Sequence, residues 1–273
     1  MDSRLNFRDY ASEKQHGLYI VNPLMITKTE AIVLKTVDFS ESSIIATLFT
    51  RKHGTIAVIA KGARKPKNKF SAYLVVGQVL EVVYYMKASR GVQTLSDASY
   101  RIKLDNLRVD IEKMALTMTT MEFTRQVVHE NEVNSELFNF LLKLLKWLNE
   151  KESVSKIIFP YIQLRVLELV GIGLQPDETV LQKTSKIGYI NIETGFLSDV
   201  SEGSQSVKLT EDQMLFLKTA LTSKSSNIFD IKMAENELKD LIEYLDRYIR
   251  YHIEGVKTRR SDAIFDQLLN GFS

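Results

Sequence analysis

Residues 51–69 read RKHGTIAVIAKGARKPKNK, and they combine a short apolar run with a dense basic run. The apolar run, residues 55–60, is rich in β-branched side chains, which is typical of a buried or half-buried strand. His53 and Gly54 before it form a turn signal, and Gly62 ends it. The stretch therefore predicts a strand with a basic loop at its end.

The basic loop lies within a longer segment that contains no acidic residue. No Asp or Glu occurs between Glu41 and Glu81, although the whole chain carries 36 Lys and Arg against 34 Asp and Glu. A solvated lysine loop without a ligand is the alternative interpretation, but a local positive field on a nearly neutral protein favours a polyanion. Phe70 and Tyr73 follow the loop and could stack on bases.

We therefore predict a nucleic-acid site on this segment. The loop residues assigned to phosphate contacts are Lys61, Arg64, Lys65, Lys67 and Lys69. Three more basic residues, Lys35, Arg51 and Lys52, belong to strands whose outward faces the pattern does not determine.

The composition limits the other possibilities. A length of 273 residues favours two domains. The absence of cysteine excludes disulfides and thiolate sites and fits a reducing cytoplasm. No apolar run approaches the roughly 20 residues of a membrane span, and the N-terminus lacks the apolar segment of a signal peptide. Residues 1–24 are polar without a clear period and are predicted to be a flexible extension.

Residues 25–104 are predicted to form a small barrel. The strand candidates are residues 29–39, 43–51, 55–61, 78–86 and 91–98. Five short strands in about seventy residues suggest a closed or partly open barrel. The long connection between the third and fourth strands is where an oligonucleotide-binding (OB) barrel usually carries a helix.

From residue 105 the apolar period becomes helical. The predicted faces are Ile111, Met114, Ala115, Met118, Met121 and Glu122; Leu137, Phe138, Leu141, Leu142, Leu145 and Leu148; and Leu238, Leu241, Ile242, Leu245, Ile249 and His252. Residues 157–170 are apolar on nearly all sides and predict a buried central helix. Thr210 and Gln213 form a capping box, and a short helix is predicted from Ser261 to Leu269. The fold class is α+β, an N-terminal five-stranded OB barrel followed by an all-helical C-terminal domain.

The end of the last long helix carries a second basic cluster. Its predicted partner-binding residues are Arg247, Arg250, Tyr251, Lys257, Arg259 and Arg260. The helix dipole accounts for one or two such charges, at about 0.3–1 kcal/mol each, but not for five basic residues beside Tyr244, Tyr248 and Tyr251. An acidic peptide with an apolar end would fit here; a second DNA surface continuing from the barrel is the alternative.

The sequence gives no support for catalysis. It contains no phosphate-binding glycine loop and no nucleophile-elbow motif. The four histidines are isolated in sequence, without metal-ligand spacing. We therefore expect a protein without catalytic residues that is not an enzyme.

Several segments resemble the RecO family of bacterial DNA repair proteins. They are AIVLKTVDFSE at 31–41, LFTRKHGTI at 48–56, AKGARKPKNKF at 60–70, LSDA at 95–98, LVGIGLQP at 169–176, YIRYH at 248–252 and KTRR at 257–260. The resemblance implies a mediator of recombinational repair that binds single- and double-stranded DNA, anneals strands and works with RecR. It further implies contact with the acidic, apolar-tipped tail of single-stranded-DNA-binding protein, loading of the recombinase, and a location in the cytoplasm at the nucleoid.

One departure from the family concerns zinc. Many members have a four-cysteine zinc site after the Gly-x-Gly-x-x-Pro turn, whereas residues 175–201 here contain neither Cys nor His. We therefore expect no zinc or other cofactor, and an irregular insert at about 175–207 with a hairpin near residues 189–196. Two alternative functions stay open: an RNA-binding barrel and a protein-interaction scaffold that binds no DNA.

Overall fold

The computed structural model describes residues 25–182, 187–222 and 226–261. The predicted extension at residues 1–24 and the predicted helix after Ser261 lie outside the described residues. None of the helices in the described ranges has the length and apolar character needed to cross a membrane.

The N-terminal part is a closed five-stranded barrel, as predicted. Its strands are β1 (Met25–Phe39), β2 (Ser43–Thr50), β3 (Gly54–Ala60), β4 (Val79–Met86) and β5 (Val92–Ile102), in the order β1-β2-β3-β5-β4. All neighbours are antiparallel except β3 and β5. The four-residue helix α1 (Phe70–Tyr73) lies in the long connection before β4. Small and branched side chains such as Ala31, Val58 and Val82 fill the interior.

Strand β1 belongs to both halves of the molecule. Ala31 and Val33 point into the barrel, whereas Ile32 and Leu34 belong to the core of the helical domain. The register with β2 shifts between Val33 and Lys35. A shift of one residue moves the side chains beyond it to the other face of a strand.

The C-terminal domain consists mainly of helices that each bury part of their surface in a common core. They are α2 (Asn106–Val109), α3 (Ile111–Val127), α4 (Ser135–Glu150), α5 (Ile158–Leu169), α6 (Glu178–Gln182), α7 (Glu211–Thr222) and α8 (Glu235–His252), with a 3-10 turn at Ser226–Asp230. Helix α5 is the predicted buried helix, and Pro160 lies in its first turn, where a missing N–H costs nothing. The predicted capping box is formed, because Thr210 and Gln213 exchange backbone-to-side-chain hydrogen bonds.

The predicted apolar face of α3 is confirmed at Ala115 and Met121, which are buried, and wrong at its other apolar positions. Ile111, Met114 and Met118 are exposed, while the buried face includes four threonines. This face packs on β1, and a Cβ added at Gly77 would lie 2.3 Å from the Thr117 methyl group. The small threonine face permits this close approach, and it contributes little to the apolar periodicity from which the helix face was predicted.

The predicted irregular insert contains a small sheet. Strands β6 (Gln175–Pro176), β7 (Gly188–Asn191), β8 (Phe196–Ser198) and β9 (Ser206–Leu209) lie in the order β6-β8-β7-β9. The predicted hairpin is the β7–β8 pair, in which the Asn191 side chain accepts hydrogen bonds from the backbone of Glu193 and Thr194. The predicted all-helical C-terminal domain is therefore corrected in this respect: it is mainly helical but includes a four-stranded sheet.

Candidate nucleic-acid interface

The basic loop, residues 61–69, leaves the end of β3 and is fastened to the β1–β2 turn. The Arg64 amide donates to the Ser42 carbonyl at 2.9 Å, and the Arg64 guanidinium donates to the Ser40 carbonyl at 3.0 Å. Gly62 and Lys67 both have positive φ, at 71° and 66°. A positive φ costs more conformational energy at Lys67 than at Gly62, because a residue with a side chain disfavours this backbone conformation.

Two cations of the basic loop pair with acids from outside the acid-free segment. Arg64 lies 3.3 Å from the Asp38 carboxylate, and Lys69 donates to Asp97. The hydrogen bond from Lys69 lowers the pKa of Asp97, and the same bond raises the pKa of Lys69. A segment without acids in the sequence is therefore not without acids in space.

The other three cations of the basic loop are lysines whose surroundings differ from those of Arg64 and Lys69. Lys61, Lys65 and Lys67 are exposed, and no carboxylate of the described ranges lies within ion-pair distance of them. They are the loop cations most available for phosphate groups.

Arg51 has a structural role instead of the predicted nucleic-acid contact. Its guanidinium donates to Glu30 and to Asn139, each at 2.7 Å, and lies 4.5 Å from the centre of the Phe138 ring. The hydrogen bond from Arg101 is the largest influence on the pKa of Glu30, and it lowers that pKa. Desolvation acts in the opposite direction, but Arg51 adds to the lowering, so the pKa of Glu30 lies below its ordinary value. Arg51 therefore joins the barrel to α4.

The other two predicted strand cations are exposed but lie apart from the loop. Lys52 lies in the β2–β3 turn, at the opposite end of β3 from the basic loop. Seven residues of strand, about 3.3 Å each, separate the two ends. Lys35 lies on β1, at the edge of the helical domain.

The predicted base-stacking aromatics pack on the barrel instead. Tyr73 and Tyr100 meet edge to face at 4.7 Å, and the Tyr100 hydroxyl donates to the Ala72 carbonyl at 2.7 Å. Phe70 packs against the barrel core. These contacts hold α1 in place and leave Phe70 and Tyr73 only partly exposed, so they are less available to bases than a fully exposed ring.

The sequence interpretation missed an apolar surface next to the loop. Phe39 and Val37 are 50% and 48% exposed at the end of β1, and Asp38 between them pairs with Arg64. Val37 pairs with Ile45, which pairs with Ile59, so these residues share one side of the sheet. We call Lys35, Val37, Phe39, Ile45 and Ile59 the outer face. The alternation at positions 35, 37 and 39 was a usable signal, but the register shift before Lys35 concealed which side it faces.

The second basic cluster is divided by the structure. Arg247, Arg250 and Tyr251 are exposed on α8. Arg259 is only 8% exposed, because its guanidinium forms two hydrogen bonds of 2.7 Å to Asp246. Arg259 was predicted to bind a partner, and this is corrected: its charge is paired with Asp246 inside the domain, so the guanidinium does not face a partner surface.

Residues 253–261, which we call the strap, follow α8 and lie against α3. The Lys257 amide donates to Gln126 at 2.8 Å. The Glu122 carboxylate accepts hydrogen bonds from the Arg260 amide and from the amide and hydroxyl of Ser261. These contacts place Lys257 and Arg260 on one wall of a cleft between the two domains, and Lys35 lies on the other wall.

The described ranges contain no group of three or more His, Cys, Asp or Glu residues placed to hold a metal ion. Absence of bound zinc stays a prediction. Stoichiometric zinc in an elemental analysis of the purified protein would contradict it.

Strand order and helix placement together define an oligonucleotide-binding barrel with a basic loop at its rim and a helical domain behind it. Comparison with family models identifies the particular family. The model described as Recombination protein O N terminal matches residues 25–101, and that described as Recombination protein O C terminal matches residues 108–262. The chain belongs to the RecO family of DNA repair proteins.

Individual relatives agree with this assignment. The chain is 29% identical to the DNA repair protein RecO of Chloroherpeton thalassium over 261 residues, which is 90% of this chain and 100% of the relative. It is 31% identical to RecO of Salinibacter ruber, covering 89% and 94% of the two chains. It is 35% identical to RecO of Bacillus subtilis over 148 residues, 54% and 57% of the two chains.

Proposed function

We propose that the protein is a DNA-binding mediator of recombinational repair. It binds single- and double-stranded DNA, anneals complementary strands and, with RecR, helps to load the recombinase on strands coated by single-stranded-DNA-binding protein. The observation that carries this proposal is the group Lys61, Lys65 and Lys67, exposed and without carboxylate partners in the described ranges, beside the apolar outer face.

The arrangement suits single strands for a physical reason. Lysines bind phosphates through charge and release condensed counterions. Phe39 and Val37 offer an apolar surface on which unpaired bases gain contact. Neutralising the phosphates of one strand also lowers its repulsion of the complementary strand, which favours annealing.

Arg64 and Lys69 take part with reduced effect, because each must exchange a carboxylate for a phosphate. We therefore assign the larger share of the salt-dependent affinity to the three unpaired lysines.

The test is the salt dependence of binding to a labelled single-stranded oligonucleotide. The variant Lys61→Ala/Lys65→Ala/Lys67→Ala should flatten the slope of log K against log salt by about two units, at roughly 0.7 per lost contact. The matched control Lys143→Ala/Lys146→Ala/Lys232→Ala removes three exposed lysines of the helical domain and should keep the wild-type slope. An unchanged slope in the loop variant would sink the proposal.

Two further measurements separate the alternative functions. Competition between DNA and RNA of equal length distinguishes a DNA mediator from an RNA-binding barrel. Annealing of complementary strands coated by single-stranded-DNA-binding protein distinguishes a mediator from a scaffold without DNA binding.

The partner surface is a separate part of the proposal. We propose that Arg247, Arg250 and Tyr251 on α8 bind the acidic tail of single-stranded-DNA-binding protein, because they offer two cations and a 55% exposed aromatic ring. Titration of the tail peptide against Arg247→Ala/Arg250→Ala should show weaker binding. If this variant loses DNA affinity and keeps its affinity for the peptide, the surface belongs to DNA.

Because the proposed ligand is chromosomal DNA, we expect the protein in the cytoplasm, associated with the nucleoid.

A further inference from the structure

A cleft of about 800 Å³ lies between the barrel and the helical domain. Strand β1 forms one wall with Leu34 and Lys35, and α3 and the strap form the other. Val76 and Met118, the latter 36% exposed, give it an apolar floor.

Positive charge dominates this junction cleft. Its lining includes four cations, Lys35, Arg125, Lys257 and Arg260, and two carboxylates, those of Glu122 and Glu254. The oxygens of Glu122 are directed into the strap by three hydrogen bonds. Desolvation raises the pKa of Glu122, but the hydrogen bonds from Ser261 and Arg260 and the charge of Arg125 outweigh it and leave that pKa lowered. The carboxylate therefore serves the strap backbone.

The strap cations are held in place from both sides. Arg259, between Lys257 and Arg260, is locked to Asp246 and lies 5.0 Å from the centre of the Phe159 ring. The Lys257 amide is bound by Gln126. Because this backbone is already fixed, less conformational entropy is lost when its side chains bind a ligand.

The junction cleft is continuous with the outer face of the barrel. Lys35 lines the cleft, and Val37 and Phe39 follow it along β1 toward the basic loop. The four-residue step from Lys35 to Phe39 spans about 13 Å of strand. One extended polymer can therefore contact the loop, the outer face and the cleft in turn.

We propose that the junction cleft is a second binding site for single-stranded nucleic acid, occupied by the strand that passes over the outer face. Its phosphates contact Lys35, Arg125, Lys257 and Arg260, and its bases face Val76 and Met118. A single strand fits better than a duplex because only unpaired bases can use an apolar floor. This inference rests on the proposed function, since it extends the same nucleic-acid path.

The test uses two oligonucleotide lengths. A strand of about four nucleotides, the lower limit of what one OB barrel covers, can occupy the loop and the outer face without reaching the cleft, and a strand of about 30 nucleotides reaches beyond both. The variant Arg125→Ala/Lys257→Ala/Arg260→Ala should bind the short strand like wild type. It should bind the long strand more weakly, with a salt slope reduced by about two units.

The comparison with the loop variant keeps the two proposals apart. If Lys61→Ala/Lys65→Ala/Lys67→Ala binds both lengths like wild type, the proposed function fails. If the loop variant is weakened but the cleft variant binds the long strand like wild type, only the cleft assignment is wrong. Loss of binding to an acidic, apolar-ended peptide with unchanged binding of the long strand would likewise assign the cleft to a protein.

A second measurement does not depend on removing the cations. The chain has no cysteine, so Thr258→Cys gives a unique attachment point in the cleft lining for a photocrosslinker. The long strand should crosslink efficiently and the short strand weakly. Equal and negligible crosslinking of both strands would overturn the proposal.

Discussion

The basic loop and the strap are alike in sequence and different in the structure. Both contain several Lys and Arg residues within a few positions. In the loop, Lys61, Lys65 and Lys67 point to solvent. In the strap, Arg259 is buried and fixes the backbone from which Lys257 and Arg260 extend.

The difference shows that the position of acidic partners decides what a basic residue does. Asp246 lies on α8, 13 residues before Arg259, and its ion pair with Arg259 holds that side chain inside the domain. Asp38 and Asp97 restrain Arg64 and Lys69 while leaving them partly exposed. The density of positive charge in a segment predicts a binding surface only after such partners are known.

The largest expected effect is on the buried pair of the strap. Asp246→Ala should lower the free energy of unfolding by about 3–5 kcal/mol, because it removes the carboxylate that accepts two hydrogen bonds from the buried Arg259 guanidinium and one from Gln163. Asp38→Ala, which removes the partner of exposed Arg64, should cost at most about 1 kcal/mol. Chemical denaturation monitored by Trp147 fluorescence measures both. Equal costs would mean that the two pairs do not differ as described.

The next effect separates stacking from phosphate contacts. Phe39→Ala should weaken binding of single-stranded DNA by about 1–3 kcal/mol, the range for one stacked base, without changing the salt slope. Tyr73→Ala is the matched control: it should lower stability, because it removes the contact with Tyr100, and leave DNA affinity unchanged in folded protein. DNA affinity that depends on Tyr73 and not on Phe39 would return the stacking role to α1.

A smaller effect concerns the acid stability of the strap. The pKa of Glu122 is lowered from its ordinary value of 4.5, so its ionised form stabilises the fold. This contribution is complete above the ordinary pKa and is lost as the pH falls through the lowered value. Glu122→Gln should therefore reduce stability near neutral pH and flatten its dependence on pH in the acid range. Thermal unfolding as a function of pH measures this, and parallel profiles for both proteins would contradict it.

The barrel could be predicted from the sequence because its strands are short, β-branched and separated by turn residues. The third strand and the basic loop are plain in residues 51–69. The outer face could not be predicted, because the register shift between Val33 and Lys35 reverses the side on which Val37 and Phe39 lie. A local irregularity of one residue leaves no clear mark in composition.

In the helical domain the clear cases were helices with a strong apolar stripe. The stripe Leu238 to Ile249 of α8 is buried as predicted. The threonine face of α3 and the ion pair of Arg259 were not predictable, since both depend on contacts with distant segments. For the candidate site, the sequence predicted a group of loop cations but could not tell which of them meet carboxylates, namely Arg64 with Asp38 of β1 and Lys69 with Asp97 of β5.

The smallest expected effect tests those carboxylates directly. If Asp38 and Asp97 restrain Arg64 and Lys69, then Asp38→Asn/Asp97→Asn should release both cations for phosphate contacts. Binding of single-stranded DNA should become a few-fold tighter, and the salt slope should steepen by at most about 1.4 units, since each of the two added contacts contributes roughly 0.7. The control is the same double substitution combined with Arg64→Ala/Lys69→Ala, which should restore the slope to near the wild-type value. A tighter complex without a steeper slope would show that only the general charge had changed, and the distinction between restrained and unrestrained cations of the basic loop would then be lost.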